Sequence, residues 1–354
     1  MKEATVTTDA CKWLRLSNQF LMQPDKRLTV IQALNGFQAQ YLSYAMHAMR
    51  LRSADFDADR AADGLVKGWT LRGTMHIFAE SDLPLFLHSG CRYHSRDWTI
   101  PSFWNQRPDW ALTPRRQTYF SDLIVDALTQ GPLSREALKA RCRAAGMTEA
   151  EESSMFHPWG GGIRALCERG FLCAAVSEEK AFRLCPPFTP MEEADALLEQ
   201  TRRYFTGFGP ASVRDAAYYF GATQTEIKKR ISQLPLEIVE SDGQRLYTMH
   251  VVRNRKAALP DCLLLAGFDP LMLGYEKKQN VFLPQEYLRG IFSLSGIVMP
   301  PVLLRGTVAG RWKRSGKRLL ITQFRPFSPE ERDFTAQAAA RLWGEGVRPV
   351  FQEA

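Results

Sequence analysis

"TYFSDLIVDALTQGPLSREALKARC" (Thr118–Cys142) and "ALLEQTRRYFTGFGPASVRDAAYYFGATQTEIKKRISQL" (Ala196–Leu234) follow one plan. Each runs an amphipathic helix into a Gly-Pro pair, Gly131-Pro132 or Gly209-Pro210, which punctuates it. Each then offers a serine, Ser134 or Ser212, whose hydroxyl can cap the first free N–H groups of a second helix. In the later copy a turn at Gly221 leads to a third helix from about Thr225. Both copies continue into β-rich stretches, "GFLCAAVSEEKAFRLC" (Gly170–Cys185) and "LEIVESDGQRLYTM" (Leu236–Met249), each broken by polar turn residues as a hairpin is. Helices followed by a hairpin is the winged-helix plan.

A looser copy precedes these two. "TVIQALNGFQAQYLSYAMHAMRL" (Thr29–Leu51) reads as a helix interrupted near Gly36, and "DADRAADGLVKG" (Asp57–Gly68) as a short helix. "WTLRGTMHIFA" (Trp69–Ala79) reads as a strand carrying Thr70, Arg72, Thr74 and His76 on one face. From about Pro260 the texture changes to strand-like runs separated by Gly and Pro, and "SPEERDFTAQAAARLWG" (Ser328–Gly344) closes the chain with a capped helix. With 354 residues, the chain has room for several cores, since single cores stop growing near ~250 residues. The expected fold is α+β: three tandem winged-helix units (1–110, 111–188 and 189–256) followed by a small C-terminal β-barrel-like domain or sheet (257–354). Three such units in tandem form a scaffold with a concave side.

Charge indicates the partner. Against 38 Asp and Glu stand 46 Lys and Arg, a net charge of +8, and such a surplus attracts polyanions. Between Pro300 and Pro326 every charged residue is basic: Arg305, Arg311, Lys313, Arg314, Lys317, Arg318 and Arg325. Within "GRWKRSGKRLL" (Gly310–Leu320), Ser315-Gly316 is expected to turn a hairpin whose arms and tip carry five of these cations. That hairpin, with Arg305 beside it, is the candidate DNA-binding element. No apolar run is long enough for a membrane span, and "MKEATVTTDA" lacks the pattern of a signal peptide. Seven cysteines without a CxxC pair fit reduced, buried thiols. The expectation is a cytoplasmic protein, nucleoid-associated when bound to DNA, with no membrane partner.

The usual catalytic motifs are missing. His88, Cys91 and His94 share a helical spacing, but no fourth zinc ligand is evident, so no metal and no cofactor are expected. "HPWGGGIRAL" (His157–Leu166) lacks the GK[ST] of a P-loop and reads as a tight loop starting a helix. There is no GxSxG elbow, no zinc-deaminase signature, and no readable pair of catalytic carboxylates. "MTEAEESSMF" (Met147–Phe156) reads as an acidic insert. What remains is Gln38 and Gln40, two neutral amides after Gly36 that share a face only if the segment is extended. Arg72, Thr74 and His76 either line the same site or pack beneath it, and Asp269, before Pro270, either orients a loop toward the site or simply forms a turn.

Taken together, "NGFQAQ" (Asn35–Gln40), "GWTLRGTMHIFAESDLP" (Gly68–Pro84), "GFDPLMLGY" (Gly267–Tyr275) and "GIVMPPVLLRGTVAGRWKR" (Gly296–Arg314) resemble the AlkZ-like (YcaQ-related) winged-helix DNA glycosylases over roughly Ala33 to Trp343. The resemblance implies three tandem winged helices and a β-barrel enclosing a channel for duplex DNA, and excision of alkylated purines, including N7-alkylguanines and in some members interstrand crosslinks. The family's catalytic Gln, apolar residue, Gln or Asp falls on Gln38, Ala39 and Gln40, placing the chain in the Gln-Gln branch. The implied activity is a monofunctional glycosylase of base excision repair, a hydrolase acting as a monomer on double-stranded DNA with alkylation damage. Gln40 would hold the water and Gln38 the sugar or water, with the two roles exchangeable. A winged-helix transcriptional regulator without catalysis is the rival reading.

Overall fold

The computed structural model describes residues 4–91, 104–177, 179–250 and 258–353. The chain divides into two units: one built from Met1–Ala61 together with Gln200–Ala354, the other from Ala62–Glu199.

In the second unit, a hairpin of Leu65–Trp69 and Met75–Ala79 continues through Leu172–Ala174 and Ala181–Leu184 to Leu133–Ser134, the strands of each neighbouring pair running antiparallel. Helices Pro114–Ala127, Arg135–Ala144 and Gly161–Glu168 bury Phe120, Ile124, Leu138, Ile163 and Leu166 in a common core with Leu172 and Phe182 of the sheet. The expected cap is present: the Ser134 hydroxyl accepts from the Ala137 N–H at 3.1 Å. "WTLRGTMHIFA" is not one strand but a turn and the second arm of the hairpin, because Arg72 (φ 54°) and Gly73 (φ 63°) reverse the chain. "DADRAADGLVKG" is turns and then a strand, not a helix. The acidic insert is a further helix, Glu149–Met155, closed by a capping box between Thr148 and Glu151. Its carboxylates are engaged: Glu151 pairs with Arg116 at 2.6 Å and Glu152 with Arg143 at 2.5 Å.

The first unit contains the helix, helix, helix, hairpin series read from sequence. Helix Glu193–Gly207, which enters it at Gln200, is followed by Val213–Phe220 and Gln224–Ile231 and then by strands Glu237–Ser241 and Gln244–Thr248. Ser212 caps the second helix in a box with Asp215, and Gly221 ends it at φ 64°. Tyr204, Phe208 and Tyr219 pack with ring centroids 4.9–5.1 Å apart to form its aromatic centre. The N-terminal strand Ala4–Thr5 adds in parallel to Glu237–Ser241.

The C-terminal strands form an open five-stranded sheet and not the expected closed barrel. Its order is Cys262–Leu264, Pro301–Leu304, Thr307–Ser315, Arg318–Gln323 and Arg348–Glu353, antiparallel except for the last pair. Alternate residues Val302, Leu304, Leu319 and Ile321 point to one face, as the two-residue strand period requires. Helix Pro329–Trp343 covers that face with Ala338, Ala339 and Phe334. The apolar side is therefore buried by a helix, and closure of the sheet is not needed to shield it.

All seven cysteines are free, and all but Cys91 and Cys185 are buried. Among the described residues, no helix is long and apolar enough to cross a membrane.

Candidate active site

The path into the glutamine segment is set by two left-handed residues. Asn35 (φ 55°) and Gly36 (φ 81°) end the helix Arg27–Ala33, where the Gly36 N–H returns to the Ile31 carbonyl at 2.8 Å. The chain leaves extended. Phe37 and Ala39 turn inward, 1% and 0% exposed, while Gln38 is half-buried and Gln40 exposed. That alternation puts both amides on one open face, the arrangement that only an extended backbone allows. Neither amide has a hydrogen-bond partner among the described residues. Each keeps its carbonyl acceptor and NH2 donors for water or substrate.

Directly after Gln40 the helix Leu42–Arg52 begins. It buries Leu42, Ala45, Ala48, Met49 and Arg52, a stripe at helical spacing. Its N-cap position holds Tyr41, which supplies no side-chain cap. Tyr41 is 45% exposed and stacks on Phe268 (centroids 5.8 Å, planes at 25°), and Tyr44 leans on both rings at 5.7 and 6.5 Å. Burial, then Tyr41 beside it, raises the Tyr44 hydroxyl above its ordinary pKa.

The end of this helix is locked. Arg52 Nη2 donates to Asp269 Oδ1 at 2.7 Å and Nη1 to Oδ2 at 3.1 Å, with both side chains wholly buried. Asp269 also accepts from the backbone N–H groups of Leu271 (2.9 Å) and Ala266 (3.3 Å). Four donors thus hold one carboxylate, and with it the loop carrying Gly267 and Phe268. Sequence reasoning singled out Asp269 but missed Arg52, Tyr41, Tyr44 and Phe268. No local signal links Arg52 to a partner 217 positions away, although an aromatic placed where a capping Ser or Asp is favoured was a readable sign at Tyr41.

The other candidates lie as follows. Arg72 is exposed at the turn of its hairpin. Thr74 and His76 are occupied by their own backbone: Thr74 Oγ1 donates to the Leu71 carbonyl at 3.1 Å and His76 Nδ1 to the Thr74 carbonyl at 3.0 Å. Burial, with Arg72 adding to it, pushes the His76 pKa down to about 3. His88 and Cys91 sit at a short turn with Nε2 and Sγ 3.8 Å apart, and His94 lies outside the described residues. At the start of the helix Gly161–Glu168 a Cβ on Gly161 would run into the Ser154 carbonyl, so close packing accounts for that glycine.

The basic hairpin forms one residue later than read, with Ser315 paired to Arg318 across Gly316-Lys317. Arg305 is drawn into pairs with Glu330 (3.1 Å) and Asp261 (3.8 Å). Arg311 donates to the Gly290 carbonyl at 3.3 Å, and Arg314 lies 5.2 Å over Trp343. Lys313, Lys317 and Arg318 are exposed, with no ion pair among the described residues. A concavity of about 420 Å³, lined by Arg50, Leu264, Phe334 and Arg341 among others, opens toward the other end of the helix Leu42–Arg52. It includes neither amide.

A family model described as DNA glycosylase AlkZ-like matches residues 26–344. Among curated proteins, the chain is similar to an "Interstrand DNA cross-link repair glycosylase" of Streptomyces sahachiroi, 26% identical over 342 residues and 90% of each chain. Among solved structures, the Streptomyces sahachiroi DNA glycosylase AlkZ has a TM-score of 0.78 at 23% identity, covering 99% of this chain and 100% of that one, which is a likeness of mixed α+β fold.

Proposed function

The chain belongs to the AlkZ-like DNA glycosylase family, and from that premise we propose that it hydrolyses the N-glycosidic bond of alkylated purines in duplex DNA through water held by Gln38 and Gln40. The observation that carries this reading is the pair of unpartnered amides on the open side of Phe37–Gln40, whose inward Phe37 ring lies 5.9 Å from the buried Arg52 guanidinium. An N7-alkylguanine is cationic before the reaction begins, so it leaves as a neutral base and needs no protonation. Its departure puts positive character on the sugar, as in other glycoside hydrolyses. An amide carbonyl can accept a hydrogen bond from the attacking water and its dipole can favour the developing cation, while the NH2 groups fix orientation. The water oxygen bonds to C1′, one proton passes to solvent, and an abasic site remains. No lysine takes part, so the strand stays uncut.

The same reading assigns DNA backbone contact to the exposed cations of the 307–323 hairpin. Arg72 is the exposed member of the candidates on the Leu65–Ala79 hairpin, and Thr74, His76 and Asp269 act as supports. Interstrand crosslinks through N7 of guanine carry the same cationic leaving group, and they extend the proposed substrate class. The four-part division 1–110, 111–188, 189–256 and 257–354, with tandem winged helices in the first three, belongs to this proposal, as do a monomeric enzyme and a cytoplasmic site of action.

The test is release of 7-methylguanine from a duplex, read by mass spectrometry, with alkaline cleavage reporting abasic sites. Base release by the unaltered chain and none by a Gln38→Ala/Gln40→Ala variant is the expected result. Equal release by both would remove the amides from the mechanism, and no release by either would remove the substrate class.

A further inference from the structure

The position after Gln40 is used in an unusual way. A helix N-cap favours Ser, Thr, Asp or Asn, because their side chains satisfy an orphan N–H. Here it is Tyr41, which caps nothing and leaves 45% of its surface in solvent. Three features beneath it hold its ring in place. Phe268, 5% exposed, supports one face of the ring from a left-handed backbone (φ 55°) that a bulky residue rarely adopts. Gly267 lets the Tyr44 ring approach, since a Cβ there would come within 2.5 Å of it. Asp269, clamped by buried Arg52, fixes the loop carrying both. Backbone strain, a surrendered cap and a buried ion pair all converge on a flat aromatic surface adjoining the two amides.

We propose that the open face of Tyr41 is the platform on which the positively charged alkylpurine stacks, so that Tyr41 selects substrate by charge. An aromatic face carries negative potential and attracts a delocalised cation, and bases of any sequence stack on such rings. A neutral purine of the same shape gains the stacking but loses the electrostatic part. The residue binds the leaving base, while the amides act on the sugar side. This rests on the reading of Gln38 and Gln40 as the reaction centre.

The test uses two duplexes that the enzyme does not consume: one with 7-methylguanine on a 2′-fluoroarabino sugar, which is cationic, and one with 7-methyl-7-deazaguanine, which is neutral. Dissociation constants are measured for the unaltered chain, Tyr41→Phe and Tyr41→Ser, each with its thermal midpoint. The unaltered chain is expected to prefer the cationic duplex by about tenfold, within the range of such contacts. Tyr41→Phe keeps most of that preference. Tyr41→Ser, which supplies the missing cap, keeps or raises the midpoint yet brings the preference below about twofold. A Tyr41→Ser variant that retains the full preference overturns the platform, as does an unaltered chain that excises 7-methylguanine while binding both duplexes equally. If the unaltered chain fails to excise 7-methylguanine at all, the reaction centre falls and the platform with it.

Discussion

Two polar clusters of this chain look equally promising as text and are built in opposite ways. Around Gln38 and Gln40 the amides are unpartnered among the described residues, while the nearby charged groups Arg52 and Asp269 are sealed and paired with each other. Around Thr74 and His76 the polar groups turn back onto their own backbone, with His76 buried and Thr74 half-buried. A side chain that satisfies itself stabilises the place where it stands. A side chain held rigid and left unsatisfied is available to something else. The difference is in who completes the hydrogen bonds, and it separates self-satisfied groups from available ones better than residue type does.

The largest expected effect tests that contrast directly. Removing either amide should lower base release by about 10²–10³-fold, as loss of an aligned dipole does, with the thermal midpoint unchanged. His76→Gln should alter release by no more than a few fold. A His76 variant as inactive as the glutamine variants would erase the distinction. Next comes the clamp: Asp269→Ala strands a buried guanidinium and should cost about 3–5 kcal/mol in urea unfolding, part of which returns in Arg52→Met/Asp269→Leu. A cost under about 1 kcal/mol would show the pair to be dispensable.

The pH dependence is a weaker lever on the other cluster. His76 titrates lower in the folded chain, about 3, than its ordinary 6.5, so the unfolded chain binds the proton first. Its stabilising contribution is full above about pH 6.5 and is lost as pH falls from there toward about 3, at about 1.4 kcal/mol per pH unit. His47, lowered by burial, acts in the same direction. Unfolding at pH 6.5 and 5 should therefore differ by about 2 kcal/mol more in the native chain than in His76→Gln. The smallest effect concerns the basic hairpin. Replacing Lys313, Lys317 or Arg318 with Ala should make the salt dependence of DNA binding shallower, by about 0.9 in the log–log slope for each phosphate that the side chain neutralises. Arg305→Ala, whose charge is already spent on Glu330 and Asp261, should leave it nearly unchanged.

Local chemistry made much of this legible. Ser134, Ser212 and Gly221 marked helix ends correctly because caps depend on neighbours within a turn. Gly36 marked the break before the glutamines for the same reason. Failures came where the deciding interaction was remote. Closure of the C-terminal strands depends on whether Cys262–Leu264 meets Arg348–Glu353, and a helix between them in sequence covers the sheet instead. Nor was it legible that Arg116 and Arg143 neutralise the acids of Met147–Phe156 in space. The glutamines were found through motif and resemblance. The clamp and the aromatic rings beneath them were not, since Arg52 and Asp269 carry no mark of each other.

The interrupted build of the first unit has a consequence for synthesis. Arg52 leaves the ribosome 217 residues before Asp269, an interval on the order of 10–40 s at ordinary translation rates. During that wait the nascent chain carries a guanidinium shaped for a burial that is not yet possible, while residues 62–199 emerge as an uninterrupted stretch. Docking of the helix Leu42–Arg52, which follows the two amides, is thereby deferred until most of the polypeptide exists, so a prematurely stopped product would lack the clamp beneath that segment.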